Sequence, residues 1–224
     1  QDARFNAVGM SSSGKYQCAT RTAFNIGIYV SSDYGSTWTS KSIGISEWSR
    51  VIVSPTGQYQ LVGTGHIYYD ARLYLSNDYG STFNEIFASS LNFYHYSASV
   101  CAMSSNGQYI TTFLITPDDP APDNYISIYS SSDYGANFSL LKFYYSGGWP
   151  GHYPAATGMT PDGATRYFVK TTNMYKSTDY GATWTLIHQN NGFGAPGKIK
   201  ISDNGQYILY SMFSSNDYGV TWSL

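Results

Sequence analysis

An all-β fold, built from repeated units of four short antiparallel strands, is predicted by three features of the sequence. An eight-residue string recurs five times, a second string recurs between its copies, and the composition is that of a turn-rich β protein. The first string runs from Ser31 to Trp38 and returns at Ser76 to Phe83, Ser131 to Phe138, Ser177 to Trp184 and Ser215 to Trp222. Its aspartates, Asp33, Asp78, Asp133, Asp179 and Asp217, are spaced by 45, 55, 46 and 38 residues. The second string has the form apolar-Ser/Thr-x-x-Gly with a tyrosine close behind. It reads Met10 to Tyr16, Val53 to Tyr59, Met103 to Tyr109, Met159 to Tyr167 and Ile201 to Tyr207, the fourth copy being longer. Two independent strings in step with one another establish a true repeat. The chain carries 23 Tyr and 22 Gly among its 224 residues, and 17% of it is aromatic, far above the level of disordered sequence. Only 12% is charged, against about a quarter in an ordinary soluble domain.

Each unit reads as four strands, and the second unit shows them in order. Trp48 to Ser54 is strand A, a β-branched run of the kind that lies buried. Pro55-Thr56-Gly57 turns the chain, and Gln58 to Gly63 alternates as strand B. Leu73 to Ser76 is strand C, Asn77 to Gly80 the next turn, and Ser81 to Phe87 strand D. Such a unit cannot bury both faces alone, so units stack on one another. Four short strands every 40–50 residues is the pattern of β-propeller blades. The predicted fold is one domain, 1–224, forming a five-bladed β-propeller with blades near 1–45, 46–92, 93–147, 148–192 and 193–224. Closure has two readings. Either five intact blades close without strand exchange, since only four residues precede the first A strand, or the chain is part of something larger.

The eight-residue string resembles the Asp-box, or BNR repeat, S-x-D-x-G-x-T-W, and the resemblance covers essentially the whole chain. It implies one box in each C–D hairpin, on the side away from the ligand face. The residues explain themselves chemically. Asp33, Asp78, Asp133, Asp179 and Asp217 accept N–H bonds from their own turns. Gly35, Gly80, Gly135, Gly181 and Gly219 take the φ > 0 position of a tight hairpin. Trp38, Phe83, Phe138, Trp184 and Trp222 pack beneath as anchors. These aspartates are therefore read as structural rather than as catalytic or metal-binding groups. Asn137 replaces the threonine in the third box and creates an N-glycosylation sequon with Phe138 and Ser139.

The resemblance extends to sialidases, xyloglucanases, sortilin-type receptors, a photosystem assembly factor and lectin-like proteins. Sialidases need three convergent arginines, one in an Arg-Ile/Leu-Pro motif, with a Tyr–Glu pair. Here Arg4, Arg21, Arg50, Arg72 and Arg166 lie in no such motif, and the glutamates are only Glu47 and Glu85. Xyloglucanases need a cleft between two seven-bladed domains, too much for this length. The loop-borne carboxylates Glu47, Asp70 and Asp118 are not singled out as a pair. His66, His95, His152 and His188 lack metal-ligand spacing, and no phosphate loop or nucleophile motif occurs. No enzyme, metal or cofactor is expected.

Net charge is −2 and the pI about 6.0, so no basic field exists to hold nucleic acid. No apolar run approaches the roughly 20 residues of a membrane span. Strand-like sequence begins almost at Gln1, as in a mature secreted chain, so an extracellular, surface or virion-surface location is expected. Cys18 and Cys101 fall in blades one and three, too far apart in that assignment for a disulfide, and two buried thiols are expected.

Binding is expected on the rim formed by D–A and B–C loops, which is aromatic. Candidate ligand-binding residues are Trp48, His66, Tyr69, Arg72, Tyr94, His95, Tyr96, Trp149, His152 and Tyr153. Such rings suit sugars and protein partners alike, or they cap the blades. Every box also reads Asp-Tyr-Gly, placing Tyr34, Tyr79, Tyr134, Tyr180 and Tyr218 at repeated positions. Recent duplication explains this, and a repeated contact surface is the alternative. The sequence thus points to a non-enzymatic, lectin-like or protein-binding module. A building block of an extracellular or virion-surface assembly is the second reading, and a sialidase-like hydrolase the third.

Overall fold

The computed structural model describes residues 4–22, 27–41, 43, 48–64, 71–89, 100–117, 124–145, 154–170, 173–189, 199–210 and 212–223. Within them, five antiparallel sheets follow one another along the chain, four with four strands and one with three. Sheet 1 is β1 (Arg4–Met10), β2 (Gln17–Thr22), β3 (Gly27–Ser31) and β4 (Thr39–Lys41). Sheet 2 is β5 (Trp48–Val53), β6 (Gln60–Thr64), β7 (Arg72–Ser76) and β8 (Asn84–Ala88). Sheet 3 is β9 (Val100–Met103), β10 (Ile110–Pro117), β11 (Asn124–Ser131) and β12 (Ser139–Tyr145). Sheet 4 is β13 (Pro154–Met159), β14 (Arg166–Lys170), β15 (Asn173–Ser177) and β16 (Thr185–Gln189). Sheet 5 is β17 (Ile199–Ile201), β18 (Ile208–Tyr210) and β19 (Phe213–Ser215). Strand order in every sheet is sequence order, so each is a simple meander.

Predicted and observed strands of sheet 2 agree within one or two residues except the last, which begins three residues later. The delay is physical: Asp78 holds the backbone N–H of Thr82, which keeps the chain in its turn until Phe83. In sheet 5 the fourth strand shrinks to one bridge, Ser214 to Ser223.

The turn from first to second strand is built the same way in all five sheets. In sheet 1 the Ser11 N–H donates to the Tyr16 carbonyl at 2.8 Å, and the Tyr16 N–H donates to the Ser11 hydroxyl at 3.1 Å. Gly14 closes the turn at φ +75°, a conformation that costs other L residues about 1–2 kcal/mol. Sheet 4 corrects the sequence reading. Its turn is no longer than the others, because Thr165 occupies the tyrosine position, bonded to Thr160 as Tyr16 is to Ser11. Tyr167 lies two residues on, fully buried in β14.

By internal contacts the chain divides into two compact units, Gln1–Ser99 with Ser105–Gly107, and Val100–Ser104 with Gln108–Leu224. In the first unit β1 packs on β5. Cys18, Ile28 and Val30 of sheet 1 form one core with Trp48, Val51, Val62 and Tyr74 of sheet 2. In the second unit β13 packs on both β9 and β17, and Ala156, Tyr167, Val169 and Met174 of sheet 4 meet Ile199, Ile208 and Tyr210 of sheet 5. Sheet spacing is set by small residues: a Cβ added at Gly9 would sit 3.1 Å from Val51 and Val53, and one at Gly158 would sit 2.8 Å from Ile201.

A tyrosine fastens successive turns. The Tyr16 ring covers Gly57 of the next turn so closely that an added Cβ would stand 2.4 Å from it. Tyr59 covers Gly107 in the same way, and Tyr109 covers Gly163 at 2.7 Å. Where Thr165 replaces the tyrosine, Gly205 meets only the Thr160 methyl, at 3.2 Å.

Arg166 takes over a bond that Gln17 and Gln60 make elsewhere. Gln17 Nε2 and Gln60 Nε2 donate back to the turn carbonyls of Gly14 and Gly57, and Arg166 Nε donates to Gly163 at 2.9 Å. Its Nη1 donates to the Thr111 hydroxyl, and the guanidinium lies 5.6 Å over the Tyr109 ring. Burial lowers its pKa to about 10. The two cysteines are buried thiols not joined by a disulfide, and burial pushes Cys18 up to about 12.

Two glycine substitutions separate conformational strain from the lost seat for tyrosine. Gly14→Ala carries strain alone, because nothing lies within 4 Å of the new methyl, and should cost about 1–2 kcal/mol. Gly57→Ala adds displacement of the Tyr16 ring, raising the cost by roughly 1–3 kcal/mol more. Urea unfolding of the two variants measures the difference.

Candidate functional site

The five boxes are nearly superimposable networks. In the first, the Ser31 hydroxyl donates to Asp33 Oδ1 at 2.8 Å and accepts the Gly35 N–H at 2.9 Å. Asp33 Oδ1 also accepts the Thr37 N–H at 2.9 Å, and Oδ2 accepts the Thr37 hydroxyl at 2.6 Å. The Trp38 indole N–H donates to the Gly35 carbonyl at 3.1 Å. Asp78, Asp179 and Asp217 repeat the aspartate bonds with Thr82, Thr183 and Thr221. In the third box the Asn137 amide donates to Asp133 Oδ2 at 2.8 Å, so the sequon asparagine performs the threonine's task.

These bonds fix the charge state of the carboxylates. The Thr37 hydroxyl, then its N–H and the Ser31 hydroxyl, lower Asp33 to about 2. Asp179 is held at about 2 chiefly by Thr183, and Asp217 at about 2 chiefly by Thr221. Asp133 is lowered chiefly by the Asn137 amide. Burial opposes the shift in Asp78, but the bonds from Thr82 and Ser76 still win. Each carboxylate is held ionised by hydrogen bonds from its own turn.

Sequence reasoning missed the conformation of the middle tyrosine. Tyr34, Tyr79, Tyr134, Tyr180 and Tyr218 all adopt φ between 59° and 63°, beside glycines at 82° to 86°. A bulky residue there is an outlier. Each tyrosine N–H donates to the first turn of its own sheet, as Tyr34 does to the Lys15 carbonyl and Tyr79 to that of Gln58. The rings then reach the neighbouring sheet: Tyr79 packs on Tyr16 with centroids 4.6 Å apart, and Tyr180 on Tyr109 at 4.7 Å. Opposite Thr165 a lysine substitutes, Lys176 Nζ lying 5.8 Å over Tyr218 and donating to its carbonyl. The sequence signal was the invariance itself, and at Tyr79, Tyr180 and Tyr218 it marks packing between sheets.

The candidate ligand residues fall into two groups. His66, Tyr69, Tyr94, His95, Tyr96, Trp149, His152 and Tyr153 lie outside the described residues. Trp48 is almost completely buried and packs edge-on to Tyr74 at 5.6 Å. Arg72, at the start of β7, donates to Glu85 Oε2 at 2.8 Å, and the Tyr74 hydroxyl donates to the same oxygen at 2.6 Å. The Tyr74 bond, then Arg72, lowers the Glu85 pKa against partial burial. Glu85 is thus a clasp between β7 and β8. Glu47, Asp70 and Asp118 also lie outside the described residues. Among the described residues no group of three or more His, Cys, Asp or Glu could hold a metal ion, and no helix is long and apolar enough to cross a membrane.

A groove of ≈ 630 Å³ runs along sheet 5, lined by Lys200, Tyr207, Leu209 and Ser214 among others. A smaller cleft of ≈ 320 Å³ lies in the first unit, between Tyr16, Lys41 and the Asp78–Tyr79 turn.

Comparison with known proteins supports the fold and its repeat. The family model described as BNR-Asp box repeat matches residues 28–43, the first box with its flanking strands. Over 98% of its length the chain is similar to a chain in a crystal structure of a nidogen/laminin complex, covering 78% of that chain with a TM-score of 0.64 and 10% identity. A GH74 xyloglucanase from Xanthomonas campestris is matched over 96% of this chain and 45% of its own, with a TM-score of 0.46 and 12% identity. No curated protein sequence matches. The nidogen/laminin chain is a propeller, and the likeness to it shows sheets of the propeller type.

Lowered aspartates make the fold acid-sensitive in a defined window. A carboxylate whose folded pKa lies below its unfolded value stabilises fully above the latter and loses that contribution as pH falls through the former. For Asp33, Asp179 and Asp217 the window runs from 3.8 down through about 2. Thermal midpoints measured from pH 5 to pH 2 should fall across it, and Asp179→Asn should flatten part of that fall.

Proposed function

We propose that the chain is a non-enzymatic propeller module, each of its five sheets one blade, that recognises a glycan or protein through its loop edge. The observation that supports this is the saturation of the opposite edge. All five box carboxylates are used up by the hydroxyls and N–H groups of their own turns, so that edge is scaffold. By antiparallel topology the segments joining second to third strands, and each sheet to the next, leave from the other strand ends. Those segments carry His66 and Tyr69, Tyr94 to Tyr96, and Trp149 to Tyr153. Flat rings beside imidazoles stack on sugar faces and donate to hydroxyls, and they serve equally as protein hot spots. The low charge and abundant hydroxyls suit an extracellular or surface-displayed protein.

A glycan array, with the same glycans assayed for hydrolysis, tests the reading. We expect saturable binding to at least one glycan or captured glycoprotein class, without bond cleavage. The double variant Tyr94→Ser, Tyr96→Ser should lose it while keeping its thermal midpoint. Binding that survives this and the equivalent change at Trp149 and Tyr153, or release of free sugar, contradicts it.

A further inference from the structure

We propose that the cleft between sheets 1 and 2 binds a sugar residue bearing one carboxylate, a uronic acid, with Lys41 as its cation. This does not rest on the loop-edge reading above, and both walls of the cleft belong to the first compact unit.

The cleft coincides with a change at one position of the repeat. Eight residues beyond the box aspartate, sheets 2, 3 and 4 carry Ile86, Leu141 and Ile187, whereas sheet 1 carries Lys41. Between sheets 4 and 5 that apolar residue fills the joint: a Cβ added at Gly219 would stand 2.9 Å from Ile187. At the matching Gly80 the nearest atoms belong to Gln60 and Val30, and Lys41 is not among them. This joint stays open over ≈ 320 Å³, at the lower end of the roughly 300–1,000 Å³ of small-molecule sites.

The groups lining this space are uncommitted. Among the described residues Lys41 makes no hydrogen bond or ion pair, and the side chains of Ser32, Thr39 and Ser81 make no hydrogen bond. Their neighbours Ser31 and Thr37, by contrast, are both bound to Asp33. Lys41 is half-buried, so an anion entering the cleft gains a charge-assisted hydrogen bond that water screens only in part. Tyr79 lines the same cleft, 43% exposed, with Tyr16 packed against its ring at 4.6 Å.

Three free hydroxyls beside an aromatic ring suit a pyranose, whose hydroxyls both donate and accept and whose apolar face packs on the ring. One ammonium suits one carboxylate. Asp78, in the sheet 2 wall, is held ionised by Thr82 and Ser76, so a second acidic group on the ligand would meet a like charge. The box carboxylate keeps its structural bonds throughout, and the recognition groups lie beside it.

Isothermal titration calorimetry with methyl β-glucuronide and methyl β-glucoside tests the assignment. The glucuronide should bind saturably with a Kd on the order of 1 mM. The glucoside should bind at least about tenfold more weakly, the loss of one charge-assisted hydrogen bond. Lys41→Ile installs the residue type of sheets 2 and 4, and should weaken glucuronide binding by the same factor with no fall in thermal midpoint; Lys41→Arg should keep the binding. Ser81→Val, the residue of the fifth box at Val220, should block the cleft by bulk. The Tyr94→Ser, Tyr96→Ser variant should bind the glucuronide as the wild type does, which separates this site from the loop edge. Equal binding of the two sugars overturns the proposal, as does full binding by Lys41→Ile, loss of binding in the loop variant, or no saturable binding of the glucuronide well above that Kd.

Discussion

The structure depends on a tyrosine seated on a glycine. Each sheet is a meander with two apolar faces and gains little stability alone, so the chain holds together by fastening one sheet to the next. The first turn of a sheet carries the ring, and the first turn of the next carries the only residue that can lie beneath it. Gly57, Gly107 and Gly163 satisfy two demands at once: they allow the positive φ that closes the turn, and they leave out the Cβ that would collide with the ring. An alanine could meet neither.

The Asp-box builds the second half of the same joint. Its serine, aspartate and threonine satisfy one another, which lets a short turn hold a tyrosine at φ near 60° despite the steric cost. The tyrosine N–H anchors the box to its own sheet's first turn, and its ring packs on the tyrosine of the sheet before. A motif that looks locally self-contained thus transmits order between sheets. Sheet 4 shows what happens when one part is missing: Thr165 cannot reach the next turn, and Lys176 contacts Tyr218 from the other side.

Much of this was legible in the sequence because periodic strings translate directly into periodic structure. The boxes and the strand order followed from residue spacing, and the positive-φ glycines and the internal bonds of each aspartate from the resemblance to the Asp-box and the chemistry of its turn residues. The fourth turn was misread because Tyr167 resembles a turn tyrosine, although the hydrogen bond from Thr160 chooses Thr165. The left-handed box tyrosines were not legible, since nothing in tyrosine itself favours that conformation. Arg166 also escaped notice: a guanidinium in a glutamine's place becomes intelligible only once Thr111 and Tyr109 are beside it. Trp48 was grouped with the loop aromatics by its place at a strand start, whereas a one-residue bulge between Trp48 and Arg50 accompanies its place in the core.

If the tyrosine seat is the principal joint, equivalent tyrosines must differ in value according to whether a glycine lies beneath them. Tyr16→Ala, Tyr109→Ala and Tyr207→Ala, compared by urea unfolding, give the most direct measurement. The first two should each lose about 2 kcal/mol or more, and Tyr207→Ala less than about 0.5 kcal/mol. Equal losses at all three positions would contradict the account.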